Sequence, residues 1–380
     1  MGSVVTLFGS LIAEVIRAYR WSYAETGIVL SAPAFGFFLS SLSAGILSQR
    51  IGPKTVMIAG MIVLAIALFF FGHWPNVGLN VFLNFAVGIG LGTNESLTNF
   101  LVVRMETGGR SRLMNLMHSS WCVGAFIGPF ALADIIHLGL DWRIAYPVIS
   151  LTVAVITIIL SRIKFPMLRS VASKSPGQTE IGTGASRGPG RIILLCATSI
   201  FVYVGVEKGM YGWISDFFAR VLHSAPSVGT AMVGVYWFGQ FLGRLFLAIL
   251  YNGSRQQVVL LLLSCATIAG VLPLVLIHDP VMAMFLTILI GLANSGIFPI
   301  IVSLAGKYSA TSRSIGFVTA AGGIGGFGFP LLVAAVSESY GIAVGFSTVV
   351  YIATALVLLA MIIAFEVKST QSLPTYGGVS

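Results

Sequence analysis

Of the 380 residues, 57% are hydrophobic and 9% are Asp, Glu, Lys or Arg. A soluble domain carries about 25% charge, so there is too little polar surface here to cover a water-soluble body, and the surrounding medium is mostly lipid. The net charge of +9 does not point to nucleic acid, because the basic residues sit in short loops between apolar runs, the pattern that orients a membrane protein.

Apolar runs of about 20 residues, each long enough to cross a hydrocarbon core of roughly 30 Å, recur along the whole chain. They span 2–19, 26–48, 54–73, 77–103, 113–138, 143–163, 192–218, 227–251, 256–277, 280–304, 314–337 and 343–365. The first opens almost at Met1 and contains Glu14 and Arg17, which predicts a first helix that lacks its start. Residues 164–191 are rich in Ser, Gly, Thr and charge with nothing to bury. They read as a cytoplasmic linker between an N-terminal six-helix bundle, 1–163, and a C-terminal one, 192–366, with a tail at 367–380. With the linker inside, the inner loops hold residues such as Arg50, Lys54, Arg104, Arg110, Arg112, Arg162, Arg187, Arg191, Arg255, Lys307 and Arg313, against Arg17, Arg20, Arg143 and Arg220 outside. That asymmetry predicts both termini in the cytoplasm and a plasma (inner) membrane location. Cys122, Cys196 and Cys265 all lie in apolar runs and read as small core residues, not as a metal site.

The two halves repeat. Phe35-Gly36-x-Phe38-Leu39-x-x-Leu42 in the second run reappears as Phe238-Gly239-x-Phe241-Leu242-x-x-Leu245 in the eighth, an offset of 203. Gly124 and Gly325 each stand five residues before a proline, Pro129 and Pro330. A parallel repeat of six helices puts a pseudo-twofold axis along the membrane normal and a substrate path at the interface of the halves.

On these residues the chain resembles a major facilitator superfamily transporter over nearly its whole length. Gly45 to Lys54 resembles the superfamily's signature loop, with Gln49 where an Asp is usual, and Trp142-Arg143 is also typical. Gly88 to Asn99, Val204 to Glu207 with Gly212-Trp213, and Trp237 with Gly243-Arg244 resemble the fourth, seventh and eighth helices of the fucose permease and sugar-transporter branch. The resemblance implies an all-α membrane protein of twelve transmembrane helices in two six-helix bundles, and proton symport of sugars. It places a proton-coupling glutamate at Glu95. It places Gly9 where fucose permeases have an aspartate, so that half of their proton machinery is missing here.

The residues themselves point the same way. A titratable side chain in lipid is a functional candidate by default. Glu95 lies roughly 14 Å in from Arg104 at 1.5 Å per residue, with Asn99 one turn on along the same face. His118 stands roughly 9 Å deep on the next, antiparallel helix. Buried carboxylates hold protons more tightly and an imidazole can relay them, so Glu95, His118 and Glu207 are candidates for proton coupling. Pinning two helices together by a hydrogen bond is the structural alternative. Asn99, Trp213, Gln240 and Asn294 are candidates for substrate contact: the amides suit hydroxyls and the indole stacks on sugar rings. Tyr203, Tyr211, Tyr236 and Trp237 cluster with Trp213 on helices seven and eight. Arg244 and Lys208 are candidates for gating. Asp134, His137, His73, His223, His278 and Glu338 fall at outer ends, where they are solvated. No phosphate-binding Gly-x-x-x-x-Gly-Lys-[Ser/Thr] is present, and no nucleophile–base or metal-ligand spacing suggests an enzyme, a cofactor or a metal.

The sequence therefore predicts a monomeric secondary transporter in the bilayer, with a small molecule and protons as its partners and uptake of a polar, sugar-like solute. Export of drugs or metabolites by proton antiport is the alternative. Gly124-x-x-x-Gly128-Pro129 resembles the fifth-helix motif of antiporter branches. A non-transporting membrane sensor is a second alternative.

Overall fold

The computed structural model describes residues 1–105, 112–163, 188–251, 254–308 and 312–371, without the side chains of 103–105, 112–116, 118, 119, 188, 189, 312, 313, 315, 316, 370 and 371. Thirteen α-helices are present among them: α1 Gly2–Tyr19, α2 Tyr23–Ile51, α3 Pro53–Phe70, α4 Val77–Met105, α5 Arg112–His137, α6 Ala145–Arg162, α7 Gly188–Arg220, α8 Pro226–Leu250, α9 Gln256–Leu276, α10 Pro280–Asn294, α11 Ile297–Tyr308, α12 Ser312–Tyr340 and α13 Ile342–Gln371. With α10 and α11 taken as one broken span, these are 12 helices long and apolar enough to cross a membrane. The break at Ser295–Gly296 departs from the single run expected at 280–304. Helix α13 runs beyond the expected 366 boundary and carries Lys368, and α7 opens at Gly188, inside the expected linker. An ion pair of 3.0 Å between Arg191 and Glu366 ties those two extended ends together.

Consecutive spans alternate direction, so the end of α6 and the start of α7 lie at one end of the molecule. That end is called here the linker end, and the opposite end the far end. Helices α1–α6 pack among themselves, as do α7–α13, and the halves meet through α1, α2 and α5 against α7, α8 and α12. Helices α3, α6, α9 and α13 stand outside and expose apolar side chains such as Leu151, Leu262 and Phe365, as a lipid-facing surface does. Cys265 lies on that exposed surface rather than in the core, while Cys122 and Cys196 are buried.

Without a hydrophobic force between helices in lipid, close packing of small residues draws them together. The duplication is legible at this level. A side-chain carbon at Gly36 on α2 would run into the carbonyl oxygen of Phe85 on α4, and one at Gly239 on α8 into that of Ile288 on α10. Gly88 faces Pro33 as Gly291 faces Tyr236. Each of these positions has its counterpart 203 residues on. The next contact swaps partners: Gly92 of α4 meets Ser40 of α2, whereas Gly243 of α8 meets Ser295 at the break after α10.

Candidate functional site

Between the halves lies a cavity of about 670 Å³, within the 300–1,000 Å³ usual for small-molecule sites. Its N-terminal wall comes from α1 (Val4, Val5, Phe8), α2 (Leu30 to Leu42), α4 (Asn84 to Asn99) and Trp121 of α5. Its C-terminal wall comes from Val204, Glu207, Lys208 and Tyr211 of α7, Trp237 of α8, Phe298 of α11 and Thr319 to Gly326 of α12. The duplication does not extend to the charges. At the 203 offset, Glu207, Lys208 and Tyr211 correspond to Val4, Val5 and Phe8, and Glu95 corresponds to Phe298. The charged side chains lining this cavity therefore belong to α4 and α7.

Each wall is held in place by identifiable contacts. Pro33 inside α2 has no N–H to give the carbonyl of Val29. The Nδ2 of Asn84 on α4 donates to that carbonyl instead, at 2.7 Å. On α7, the Oε1 of Glu207 accepts from the Tyr203 hydroxyl at 2.9 Å and from the Gln240 amide at 2.9 Å. Gln240 reaches the Tyr236 hydroxyl at 3.2 Å, Asn294 donates to that hydroxyl at 2.9 Å, and Thr267 donates to Asn294 at 2.7 Å. Tyr203 also lies 3.1 Å from the Asn294 carbonyl, at the break between α10 and α11. The break is thus wrapped in side-chain hydrogen bonds from α7, α8 and α9.

Lys208 extends its ammonium over the Tyr211 ring, 5.0 Å from the centroid. It interacts electrostatically with Glu207 and Glu95. Among the described residues neither Glu95 nor Lys208 has an ion-pair partner within 4.0 Å.

These positions sort the residues singled out in the sequence. Glu95, Asn99, Glu207 and Lys208 all line the cavity. Gln240 and Asn294 do not, being fully buried behind Glu207. Trp213 does not either: it is fully buried toward the far end with its ring 5.9 Å from that of Tyr23. Arg244 bridges the halves, its Nη1 3.1 Å from the Cys122 Sγ on α5. His118 lies on α5, and its side chain is outside the described residues. Glu338 is exposed, but its carboxylate accepts from the Ala24 backbone at 3.1 Å.

A profile of the Major Facilitator Superfamily matches residues 1–217. The chain belongs to the Major Facilitator Superfamily. It is an integral membrane protein and a transporter of small molecules rather than an enzyme. Among curated relatives it is similar to a TsgA homolog protein of Buchnera aphidicola subsp. Baizongia pistaciae (strain Bp), 20% identical over 346 residues, 90% of this chain and 86% of the relative. It is similar also to the TsgA homolog of Yersinia pestis (strain Pestoides F), 24% identical over 332 residues, 86% of this chain and 79% of the relative. Among solved structures it superposes on a bacterial homolog of the human lysosomal transporter Spinster, inward-facing and unoccupied, with a TM-score of 0.76 at 14% identity, over 97% of this chain and 95% of that one. The nucleoside transporter NupG gives 0.72 at 15% identity, over 97% and 98%. At such identities the superpositions establish the fold of this superfamily member.

In this fold the far end is sealed. Asp216 of α7, fully buried, accepts from the Tyr23 hydroxyl of α2 at 2.9 Å and from Arg220 Nε at 2.8 Å. Ser215 donates to the Gly9 carbonyl at 2.8 Å and Thr230 to the Ser10 carbonyl at 2.9 Å. Sequence reasoning passed over Asp216, although its i, i+4 spacing to Arg220 was the available signal. The same seal accounts for Gly9. A side-chain carbon there would lie 2.8 Å from the Tyr211 carbonyl oxygen, so α1 and α7 are pressed together where fucose permeases have an aspartate. Gly9→Ala is expected to destabilise the protein by about 1–3 kcal/mol, the usual toll of overpacking, and Gly9→Asp by more. Thermal unfolding in detergent measures both, and an unchanged midpoint for Gly9→Asp would show that the two helices have room to separate.

The signature loop also departs from the resemblance. Gln49 is exposed in the last turn of α2. Lys54 instead donates to the carbonyls of Ser161 and Ile163, both at 2.7 Å, a cation at the C-terminus of α6 where the helix dipole favours it.

Proposed function

We propose that this chain takes up a small polar, sugar-like solute together with protons, by rocking of its two halves about the central cavity. The observation that carries the reading is Glu95, a carboxylate on the cavity wall with no ion-pair partner within 4.0 Å among the described residues. Such a group can exchange a proton with the cavity while a solute occupies it. Glu207 and Lys208 on the opposite wall give a second carboxylate and a cation through which occupancy can be felt. Trp121, Tyr211 and Trp237 supply flat faces of the kind that sugar rings stack on. The seal at the far end favours access from the linker end, and the basic residues at the linker end favour placing that end and both termini in the cytoplasm of a plasma membrane. The protein acts as a monomer in this reading.

The test is uptake of labelled sugars, neutral and acidic, into proteoliposomes with and without an inward proton gradient. Wild-type protein should accumulate its solute only with the gradient. Glu95→Gln should lose gradient-driven accumulation while solute exchange across the membrane stays near the wild-type rate. If exchange fails in step with accumulation, Glu95 holds structure or substrate rather than the proton. If no sugar moves and lipophilic cations do, proton-driven export replaces uptake.

A further inference from the structure

An ammonium inside a membrane protein is expensive unless something answers its charge. Lys208 is such a group, and the neighbouring carboxylates do not answer it directly. Glu207 is occupied by Tyr203 and Gln240, Glu95 lies across the cavity on α4, and neither comes within 4.0 Å of an ammonium or guanidinium among the described residues. The ammonium rests over the Tyr211 ring instead, on the cavity wall.

Trp237 also packs against Tyr211, its ring 5.5 Å from that of Tyr211 and 4.8 Å from that of Trp121. Trp237 is 2% exposed, and its Nε1–H has no hydrogen-bond partner, although it lines the cavity. A buried indole N–H normally finds one. Lysine and indole are both donors without acceptor capacity. Around the Tyr211 ring the cavity wall therefore carries an ammonium without an ion-pair partner within 4.0 Å among the described residues and a buried indole N–H without a hydrogen-bond partner. Toward the linker end the wall presents acceptors: the Glu95 carboxylate, the Asn99 Oδ1, which has no partner, and the Ser41 hydroxyl, likewise unpartnered.

We propose that the solute is a sugar acid, its carboxylate held by Lys208 and Trp237, its ring against Trp121, and its hydroxyls turned to Glu95, Ser41 and Asn99. The assignment rests on the transporter reading above and narrows it. Hydroxyls of a neutral sugar could accept from the same donors but would leave the ammonium without an ion-pair partner within 4.0 Å among the described residues. Hydrogen bonds to a charged group are roughly twice as strong as neutral ones, which predicts a preference for the acid of about tenfold or more in affinity. Glu207 and Glu95, the charges facing Lys208 from α7 and α4, together with Arg244 behind the α8 wall, set the background field in which the carboxylate binds.

Glucuronate and glucose differ only in a carboxylate against a hydroxymethyl group, and they test the proposal. A ligand of the native state raises the unfolding temperature, so each is titrated against the full-length purified protein at constant ionic strength, with lipophilic cations alongside. Glucuronate should stabilise the protein at concentrations at least about tenfold below those glucose requires. Lys208→Gln should erase the difference between the two sugars, Lys208→Arg should restore part of it, and Trp237→Phe should reduce it. Glucose stabilising as well as glucuronate, or a preference for glucuronate that survives Lys208→Gln, overturns the sugar-acid assignment and leaves sugar transport standing. Stabilisation by lipophilic cations alone overturns both. Should Lys208→Gln not fold, the wild-type comparison and Trp237→Phe decide the matter between them.

Discussion

Asp216→Ala is expected to unseal the far end. Asp216 is fully buried and binds two partners, one in each half: Tyr23 from α2 and Arg220 from its own helix. Arg220 also lies over the Tyr23 ring at 5.8 Å. Deleting one member of a buried ionic pair costs about 3–5 kcal/mol because the remaining group is stranded. Arg220 has 45% of its side chain exposed and can rehydrate, so the lower end, about 3 kcal/mol, is the better figure. Of that loss only the Tyr23 hydrogen bond bears on the seal, about 1.5–3 kcal/mol for a bond to a charged group, since Arg220 pairs with Asp216 inside α7 in the open and the sealed forms alike. A bias of that size moves the balance of sealed and unsealed forms by about one to two orders of magnitude. Spin labels at His73 and His278, exposed at the far ends of opposite halves, would report it. Wild-type protein should give one short separation, and Asp216→Ala a second, longer population. A distance distribution identical in the two proteins would mean that the Gly9 and Ser10 contacts hold the seal without this cluster.

The positions of the helices were legible because each had to be about 20 apolar residues long. Most expected boundaries lie within a few residues of those observed. The tenth span was the exception. Its break at Ser295–Gly296 leaves no mark in an apolar run, because the groups that surround it, such as the Tyr203 hydroxyl 3.1 Å from the Asn294 carbonyl, come from helices remote in sequence. The duplication was read from α2 and α8 alone, yet the glycine contacts of α4 and α10 keep the same register. Such contacts depend on a glycine meeting a carbonyl on another helix, which no single stretch of sequence reveals.

The candidate site was legible by residue type and only partly by place. Glu95, Asn99, Glu207 and Lys208 were found because charge and amide are rare in apolar runs. Spacing gives the angle between two residues of one helix, but not how that helix is rotated against its neighbours. Trp237 and Gln240 are three residues apart and only about 60° apart around α8. One lines the cavity while the other is buried behind Glu207. The same uncertainty of rotation carried Trp213 and Asn294 away from the cavity. Trp121 and Ser41 are unremarkable in composition and reach the cavity wall through the tertiary fold alone.

Glu207 is the residue at which framework and site meet, and two substitutions should separate its roles. Glu207→Leu keeps the volume and strips the acceptor from the Tyr203 hydroxyl and the Gln240 amide, both in a region closed to water. Tyr203 can turn its hydroxyl to the Asn294 carbonyl at 3.1 Å, but one hydrogen of the Gln240 amide loses its acceptor, and one buried donor left without a partner costs about 1–3 kcal/mol, which is the loss expected. The damage should reach the break between α10 and α11, because Gln240 and Tyr203 lead through Tyr236 to Asn294. Glu207→Gln retains an oxygen for both donors and can reorient its amide, so its unfolding midpoint should stay close to wild type. The stability difference between the two variants then measures the hydrogen-bonded framework. Proton-driven uptake in Glu207→Gln, where that framework is kept, measures whether the carboxylate takes part in coupling. Retained stability in Glu207→Leu would mean that the network around the helix break is not held through α7, and Asn294 with Tyr236 and Thr267 would then be its sufficient core.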